Sequence, residues 1–327
     1  MKTTQENIFS SKTLSYFLQL SDTMNYTQAA QILGITQPAL TQQIKKLERT
    51  VGAPLFYSVG KKLRLTEAGH TMLRTTHDIY ELLNEATDEI QQSSSETTGE
   101  INLGILASIE TRVLQAFAIE LYKEYPDLTI SFHMLTRKEI WENLENNKID
   151  LAIMYLPDSS IKNWQPYSSK KILSDELMYV HHQPELKDRK YIRFKDVTDS
   201  PWVIYPQNYF LNATLHDAFK NQMVDFPKIA GRFTLPEQLL NFAIHANTAT
   251  ALPVSFLKGI NSDFLEQQNT WMTTLEPKVQ FDLSFVFRKN KNEIPRIKFF
   301  LDAFDKYLKD EDYLSRLEKI ATKDKTK

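Results

Sequence analysis

The side chains that could recognise another molecule are concentrated near the start of this 327-residue sequence. Amide, hydroxyl and basic groups recur between residues 27 and 64, among them Gln37, Gln42, Lys45 and Arg64. A glutamine amide can pair with a base edge, and lysine or arginine can neutralise phosphates. The residue types therefore indicate contact with a nucleic acid.

The charge of the chain is distributed unevenly, although the net value is only -2. Residues 1–66 contain eight Lys or Arg and three acids, a balance of +5, so the remaining 261 residues carry -7. A basic end joined to an acidic body favours a polyanionic partner for that end. The alternative is a basic face that contacts only solvent.

Two short helices are predicted at the start of this basic region. Apolar spacing predicts the first near 11–22, and Thr27 is a plausible N-cap for the second. The second helix is expected to bury Ala29, Ala30 and Leu33. Gly34 ends it, because glycine tolerates the left-handed backbone found after a helix.

A third helix carries most of the candidate recognition residues. Thr36 is its predicted N-cap, Pro38 suits its first turn, and Gly52 ends it. Its apolar face is predicted to contain Ala39, Leu40, Ile44, Leu47 and Val51. The other face is polar and basic, so the second and third helices form a helix-turn-helix.

The next segment, PLFYSVGKKLRLT, has the alternation of a β-hairpin with Gly60 at its tip. A basic hairpin beside a recognition helix is a wing, which would place Lys61, Lys62 and Arg64 against phosphates. Each of these features alone has a structural explanation, such as capping or solvation. Their combination in this order favours DNA binding.

The segment YTQAAQILGITQPALTQQIKKLERTVGAPLFYSVGKKLRLTEAG resembles the winged helix-turn-helix of LysR-type transcriptional regulators. The shared features are the paired alanines, QPAL, LE-x-x-x-G, PLF and LTEAG, in one order over about forty positions. The resemblance implies that the major groove is contacted by Gln37, Pro38, Ala39, Thr41 and Gln42. It implies backbone contacts for Thr27, Lys45 and the wing, and Gln28 is also a predicted DNA contact.

The sequence departs from the family pattern at three places. Gln42 and Ser58 stand where the family often has arginine, so we expect weaker attraction to phosphates. The family's Gly-x-Gly before its "LP" segment is replaced by Ala246, Asn247 and Thr248. The missing glycines change the backbone freedom beside the expected ligand cleft.

A long helix is predicted over residues 67–94. Apolar residues recur at heptad spacing in Leu65, Ala68, Met72, Ile79, Leu83, Ala86 and Ile90. The pattern favours a linker helix that dimerises the chain, which is also its role in the family; an ordinary helix packed on its own domain is the alternative. The polar segment 91–99 is a predicted hinge.

From residue 100, strands and helices alternate, which indicates a parallel α/β sheet. The resemblance continues in GEINLGILA, KIDLAI and ALP, and implies two α/β lobes like those of periplasmic binding proteins. The fold class is therefore α/β with an N-terminal all-α winged helix-turn-helix, a long linker helix and a two-lobed effector domain.

The predicted domain boundaries follow from these elements. They are the DNA-binding domain at 1–66, with the helix-turn-helix about 26–45 and the wing about 54–66; the linker at 67–94; effector lobe I at 100–168 and 272–310; lobe II at 169–271; and a C-terminal extension at 311–327. Crossovers between the lobes are expected near 168–175 and 268–275.

Ligands of such sheets bind beyond the carboxyl ends of the strands, between the lobes. The expected effector site comprises Ser108, Thr111, Thr136, Arg137, Tyr155, Tyr205, Gln207, Phe233 and Thr234. Ser108 is predicted to open a helix whose amides favour an anion, with Arg137 as a counter-ion. The alternatives are a simple N-cap for Ser108 and ordinary strand-end aromatics for the two tyrosines.

The sequence offers no set of residues for catalysis. Cysteine is absent, the seven histidines form no HExxH pair, and no GxSxG, P-loop or dinucleotide fingerprint occurs. We therefore expect no enzyme activity, no cofactor and no metal. The start lacks the apolar core of a signal peptide and no stretch nears the ~18 apolar residues of a membrane span, so a cytoplasmic location without a membrane partner is expected.

The combined interpretation is a DNA-binding transcriptional regulator. Its expected partners are a double-stranded DNA operator, a small-molecule effector, with an anion among the candidate classes, and further copies of the chain in a homodimer or homotetramer. One alternative is a repressor that needs no ligand. A two-lobed solute-binding protein or enzyme is the other, and predicts no sequence-specific DNA binding.

Overall fold

The computed structural model describes residues 9–60, 62–92, 95–158 and 164–323. The chain divides into two compact units, Met1–Thr87 and Asp88–Lys327. Each unit is built around a separate cluster of buried apolar side chains. Each can therefore be described by itself.

The described part of the N-terminal unit contains three helices, a hairpin and the start of a long helix. These elements are α1 Ser11–Thr23, α2 Tyr26–Ile32, α3 Gln37–Val51, β1 Phe56–Val59, β2 Lys62–Leu65 and α4 Glu67–Gln92. The predicted first and third helices and the hairpin are confirmed. In α3, the Thr36 hydroxyl accepts a hydrogen bond from Ala39 N at 3.4 Å, and Gly52 ends the helix with φ of 76°.

Two local predictions in this unit were wrong. The N-cap of α2 is Asn25 rather than Thr27, because the Asn25 Oδ1 accepts hydrogen bonds from the backbone N–H groups of Thr27 at 2.9 Å and Gln28 at 3.2 Å. Ala39 is exposed and does not share the apolar face of α3, whose buried residues are Leu40, Ile44 and Leu47.

The long helix α4 changes character along its length. Its first half buries Met72 and Thr76 in the N-terminal unit. Further along, Leu82, Leu83 and Ile90 are more than half exposed. Packing within the N-terminal unit therefore accounts for the first half of the predicted apolar seam, whereas the later seam residues Leu83, Ala86 and Ile90 are exposed.

The C-terminal unit contains strands and helices of 11 to 18 residues together with shorter ones. Its strands are β3 Gly99–Leu106, β4 Leu128–Leu135, β5 Leu151–Leu156, β6 Tyr167–His181, β7 Tyr191–Arg193, β8 Trp202–Ile204, β9 Ile229–Arg232, β10 Thr250–Pro253 and β11 Trp271–Arg288. Its helices are α5 Arg112–Glu124, α6 Arg137–Glu145, α7 Phe210–Asn221, α8 Pro236–Ala246, α9 Val254–Leu257, α10 Ser262–Gln267, α11 Pro295–Asp310 and α12 Tyr313–Lys323. Short 3₁₀ turns occur at Pro184–Leu186, Phe194–Asp196 and Lys291–Glu293.

Strand pairing produces the two lobes. In lobe I, β3 lies between β4 and β5 and runs parallel to both. The long strands β6 and β11 pair antiparallel along most of their length. At one end β11 joins β5, and at the other β6 joins β10. Residues 182–270, with the adjoining ends of these two strands, form lobe II, which also contains the parallel pair β8 and β9.

A buried carboxylate lies where the long strands pass from one lobe to the other. Asp175, on β6, is 3% exposed and accepts hydrogen bonds from Ser255 N at 3.2 Å and from Ser255 Oγ at 2.5 Å. Burial raises the pKa of Asp175, and the hydrogen bonds oppose that rise. The contact ties the first turn after β10 to the crossover strand.

One predicted helix boundary in lobe I was wrong. Ser108 does not open a helix; it lies in a turn, and α5 begins at Arg112. The turn places Ile109 in the core at 5% exposure, which the apolar pattern of α5 alone did not indicate. The C-terminal extension forms α12 as far as Lys323, and the last four residues of the predicted extension lie outside the described residues.

Candidate functional site

The exposed face of α3 is a continuous polar and basic surface. It forms a shallow depression of about 670 Å³. The lining residues are Gln37, Pro38, Thr41, Gln42, Lys45, Lys46 and Arg49. Lys46 and Arg49 were not assigned by the family resemblance, although their spacing on the basic face of the helix could have indicated them. A surface of this kind can bring amides to base edges and cations to phosphates.

The side chain of Gln37 is oriented by its own helix. Its Nε2 donates a hydrogen bond to the Thr41 hydroxyl at 3.2 Å, and that hydroxyl donates to the Gln37 carbonyl at 2.9 Å. One amide N–H of Gln37 is used in this pair. A glutamine amide has a second N–H and an acceptor oxygen, which is the pattern required for bidentate pairing with adenine.

The start of α2 presents two further predicted contacts. Thr27 and Gln28 are exposed, and their backbone N–H groups are bound to Asn25. Because Asn25 provides the cap, the Thr27 hydroxyl is not needed for that purpose. It can serve as a donor to a phosphate oxygen, which is the kind of contact that the resemblance implies.

The hairpin has the geometry of a wing. Tyr57 pairs with Arg64 and Val59 with Lys62, so the two basic residues alternate with inward-facing neighbours. Lys62 and Arg64 are both exposed. The third predicted wing residue, Lys61, lies outside the described residues.

A carboxylate connects the recognition helix to the wing. Glu48 Oε1 accepts hydrogen bonds from Leu55 N at 2.8 Å and Phe56 N at 3.2 Å. Partial burial together with the Glu48 charge raises the pKa of Tyr26 to about 12. The geometry of helix and hairpin within this unit thus depends on a carboxylate in a module of net positive charge, which the LE-x-x-x-G pattern could have indicated.

In the C-terminal unit, the predicted cleft residues follow five different strands, and only some of them come together. The Tyr155 hydroxyl donates to the Ser108 carbonyl at 3.4 Å, which joins the segments after β3 and at the end of β5. Thr111 precedes α5, and its hydroxyl accepts from Gln115 Nε2 at 2.9 Å. Ser108 and Tyr155 are buried, at 4% and 1% exposure.

Aromatic rings fill the space between the lobes near Tyr155. Its ring stacks on Phe210 with centroids 5.6 Å apart, and it meets Phe281 edge-on at 4.9 Å. Phe210 opens α7 of lobe II, so this pair closes the region where a ligand was expected. Burial, with nearby Asp175 as a smaller cause, raises the pKa of Tyr155, which keeps its hydroxyl protonated.

A second group of predicted residues gathers in lobe II. Tyr205 stacks on Tyr209 with centroids 5.8 Å apart, and Phe233 N donates to the Ile204 carbonyl at 3.1 Å. Gln207 and Thr234 are exposed beside them. Tyr205 is 3% exposed, and within the described residues its hydroxyl oxygen makes no hydrogen bond. A buried hydroxyl without a partner is costly, so this group is available to a ligand atom.

Thr136 and Arg137 serve their own helix and a buried acid. Thr136 caps α6 in a capping box with Glu139, whose pKa is lowered by these hydrogen bonds. Arg137 Nη1 lies 3.4 Å from Asp158 Oδ1, and the indole N–H of Trp141 donates to the other oxygen at 3.0 Å. The predicted counter-ion for a ligand thus already faces a carboxylate of the chain.

The start of α5 is likewise occupied by the chain itself. The Glu110 carboxylate accepts from the backbone N–H of Arg112 at 2.9 Å and pairs with its guanidinium, also at 2.9 Å. Glu110 is 8% exposed. Because an internal carboxylate takes the place that an anion would occupy, this helix end does not support the expected preference for anions.

Sequence reasoning missed Phe210 and Glu110, and it identified Asn247 only as a replacement for a family glycine. Phe210 follows an aromatic run that begins at Tyr205, and that run was its only signal. Asn247 has φ of 50°, so it occupies the left-handed conformation expected for a family glycine. Asparagine tolerates this conformation better than most residues, which explains how the chain turns there without glycine.

No group of three or more His, Cys, Asp or Glu side chains in the described ranges could hold a metal ion. No described helix combines the length and apolar character needed to cross a bilayer.

Comparison with protein-family models gives two matches. The model for the "Bacterial regulatory helix-turn-helix protein, lysR family" matches residues 11–70, and the "LysR substrate binding domain" model matches residues 94–309. The second match alone covers well over half of the chain. Together they coincide with the unit that carries α3 and the unit that carries the two lobes.

Similar proteins include other transcriptional regulators. An uncharacterised HTH-type transcriptional regulator, YybE of Bacillus subtilis, is 30% identical over 210 residues, which cover 63% of this chain and 70% of YybE. The transcriptional activator CmpR of Synechocystis is 27% identical over 190 residues, 58% of this chain and 60% of CmpR.

Solved structures share the fold at lower identity. Full-length BenM is similar with a TM-score of 0.54 and 20% identity, over 93% of this chain and 98% of BenM. Full-length CbnR complexed with its target DNA has a TM-score of 0.50 and 20% identity, over 91% of this chain and 99% of CbnR. These likenesses establish the winged helix-turn-helix followed by a two-lobed α/β domain.

Proposed function

Because this chain belongs to the LysR family of bacterial transcriptional regulators, we propose that it reads an operator with α3 and the wing, under the control of a small molecule held between its lobes. It is a DNA-binding regulator with an effector-binding domain, and it is not an enzyme. The observation that carries the proposal is the continuous surface of glutamines and cations on α3.

We propose that Gln37, Pro38, Ala39, Thr41 and Gln42 face the major groove. Gln37 supports this role best, because Thr41 already orients its amide. Thr27, Gln28, Lys45, Lys62 and Arg64 contact the DNA backbone, and the same role is proposed for Lys61. Access to operator DNA supports a cytoplasmic location.

The chain works as a homo-oligomer, and we propose a dimer or tetramer assembled through two apolar surfaces. Leu82, Leu83 and Ile90 on α4 form the first. Ile119 and Tyr122 on α5 are also more than half exposed and form the second. Contiguous exposed apolar side chains of this kind mark protein interfaces. Two copies present two readers to spaced half-sites.

The effector region we propose is centred on Tyr205, Gln207, Phe233 and Thr234 in lobe II and on Ser108, Thr111 and Tyr155 in lobe I. Its ligand is a small molecule with a hydrogen-bonding atom for the Tyr205 hydroxyl and apolar surface for the surrounding rings. We also propose Thr136 and Arg137 as outer members of the site. The ligand acts by binding one arrangement of the lobes better than another.

A second candidate function is a repressor that needs no ligand. The packing of Tyr155 against Phe210 favours it, because these rings already occupy the space between the lobes. In that case the C-terminal unit would serve assembly alone.

Two measurements test these proposals. Selection of bound duplexes from a random pool should enrich one preferred site, and recovery of random sequences would overturn the DNA-binding proposal. A thermal-shift screen across metabolite classes should raise the midpoint of the C-terminal unit for one class, since a ligand of the native state stabilises it. If no metabolite class raises the midpoint while specific DNA binding remains intact, the ligand-independent repressor is favoured.

A further inference from the structure

The C-terminal helix α12 lies beyond the residues matched by the family model, which end at 309. It is nevertheless part of the buried core of the C-terminal unit. Tyr313 is 2% exposed and Leu317 is fully buried. A helix that contributes such side chains is an integrated element of the fold.

At its first turn, α12 holds the loop 107–111 of lobe I. The Tyr313 hydroxyl donates a buried hydrogen bond to the Glu110 carbonyl at 3.0 Å. Two residues earlier in the same loop, the Ser108 carbonyl accepts from the Tyr155 hydroxyl. The loop is therefore held by two tyrosine hydroxyls, one from β5 and one from α12.

One turn later, α12 contacts lobe II. Gly259 lies close to Leu317. A Cβ atom added at this glycine would lie only 3.2 Å from the Leu317 Cδ1 and would crowd it. The Gly259 carbonyl also accepts from Arg112 of lobe I at 2.9 Å. Lys258 pairs with Glu318 at 2.5 Å. Lobe I, lobe II and α12 thus meet at one place.

Beyond Glu318 the packing of α12 is looser. A cavity of ≈ 340 Å³ separates the end of the helix from lobe II. It is lined by Ala321 and Thr322 of the helix and by Met178, Leu257 and Met272 of lobe II, among others. The tight contacts of α12 are consequently confined to its first two turns.

We propose that α12 is an intramolecular clasp, which positions the effector loop 107–111 and holds lobe II against lobe I. The assignment of that loop to the effector site rests on the proposed function. The clasp itself rests on the contacts of Tyr313, Leu317 and Glu318. The arrangement of the lobes in this chain thus depends on a segment outside the family-matched region.

The absence of cysteine allows a direct measurement of lobe separation in the full-length chain. Spin labels are placed at Lys138→Cys on α6 and Lys220→Cys on α7, both exposed positions in different lobes. Labelled chain is mixed with a large excess of unlabelled chain, so that distances within one copy dominate. Pulsed electron–electron double resonance then gives the distribution of the distance between the two labels in the absence of ligand.

The test variants are Leu317→Ala and Tyr313→Phe. Both should broaden or shift the inter-lobe distance distribution. Tyr313→Phe should also speed hydrogen exchange of the amides in 107–111 by roughly fivefold or more, because the Glu110 carbonyl loses its partner. The matched controls are Lys319→Gln, which breaks a pair with Glu311 inside the extension, and Tyr191→Phe, an exposed tyrosine of lobe II; both should leave distance and exchange unchanged.

Unchanged distances and exchange in both test variants would overturn the clasp, as would a lower melting temperature without change in either readout. If Leu317→Ala does not fold, Tyr313→Phe decides the question alone, since it removes a single oxygen. Because no ligand is present, these results stand apart from the effector screen. The clasp can therefore be confirmed even if the proposed effector site is refuted, and the effector site can be confirmed even if the clasp is refuted.

Discussion

The two units of the chain present their polar side chains in opposite ways. In the N-terminal unit, Gln37, Gln42 and Lys45 are exposed on one helix and surround an open depression. In the C-terminal unit, Tyr155 and Tyr205 are almost fully buried. The first surface can meet a rigid partner without rearrangement.

The comparison shows how the two recognition tasks differ physically. Duplex DNA is large, so a reader must project side chains outward from a supported helix. A small molecule is recognised by enclosure, and here the enclosing region is closed by stacking of Tyr155 on Phe210. We therefore expect the lobes to move when an effector enters, and the DNA-reading face to keep its internal geometry.

Acid should destabilise the C-terminal unit more than the N-terminal unit, and this is the largest effect that we expect. Gln183 N donates to His181 Nδ1 and the other ring nitrogen contacts the Thr273 hydroxyl, so buried His181 is held neutral. Burial lowers the pKa of His181 from 6.5 to about 4. The unfolded chain therefore binds more protons between these values, and stability falls as the pH drops through that window, by at most about 3 kcal/mol.

Thermal unfolding measured from pH 7 to 4.5 tests this difference. The midpoint of the C-terminal unit should fall more steeply in the wild type than in His181→Gln, and the difference between the two isolates this histidine. The N-terminal unit provides the control, because its histidines, His70 and His77, are exposed. Parallel pH profiles for wild type and variant would contradict the prediction.

Gln37→Ala should weaken binding to the preferred operator by about 1–3 kcal/mol, because base contacts specify the sequence. Affinity for random duplex should change little. Titrations with both duplexes measure the split, and Gln31→Ala, an exposed glutamine on α2, is the matched control. Equal losses on the two duplexes would show that Gln37 does not read bases.

Tyr205→Phe should raise the free energy of unfolding of the C-terminal unit by about 1 kcal/mol, because it removes a buried hydroxyl without a partner. The same variant should lose the midpoint shift caused by an effector. Tyr155→Phe is the contrasting control, since its hydroxyl is bonded to Ser108, and its stability should fall. A loss of stability in Tyr205→Phe would mean that this hydroxyl is satisfied in the ligand-free protein.

Lys62→Ala should produce the smallest change, a uniform weakening on all duplexes. The slope of log affinity against log salt should decrease by about 1, as expected for one lost phosphate contact. Lys12→Ala, an exposed lysine on α1 outside the wing, should leave the slope unchanged. An unaltered slope for Lys62→Ala would show that the wing lysine does not contact phosphate.

The structure of the N-terminal unit could largely be predicted, because the sequence features that specify it act locally. Thr36, Pro38 and Gly52 mark the ends of α3 through capping and backbone conformation, and these preferences act within a few residues. The error at Thr27 was also local, since Asn25 and Thr27 are both good caps and only the hydrogen bonds choose between them.

The interior of the C-terminal unit was less accessible to prediction. Its strands and helices follow apolar periodicity, so their order was expected. The partners of Arg137 and Tyr155 come from other segments, Asp158 and Phe210, and no periodicity specifies such pairs. The same holds for the contact between Tyr313 and Glu110, which are separated by about two hundred residues.

The amino-acid sequence by itself determined the winged helix-turn-helix, the polar face of α3 and the alternation that builds the two lobes, because capping, charge and hydrophobic spacing act over short distances along the chain. Only the tertiary structure decided which side chains occupy the space between the lobes and that α12 binds both of them. Those outcomes depend on the burial and pairing of groups far apart in sequence, and packing chooses among many partners of similar type.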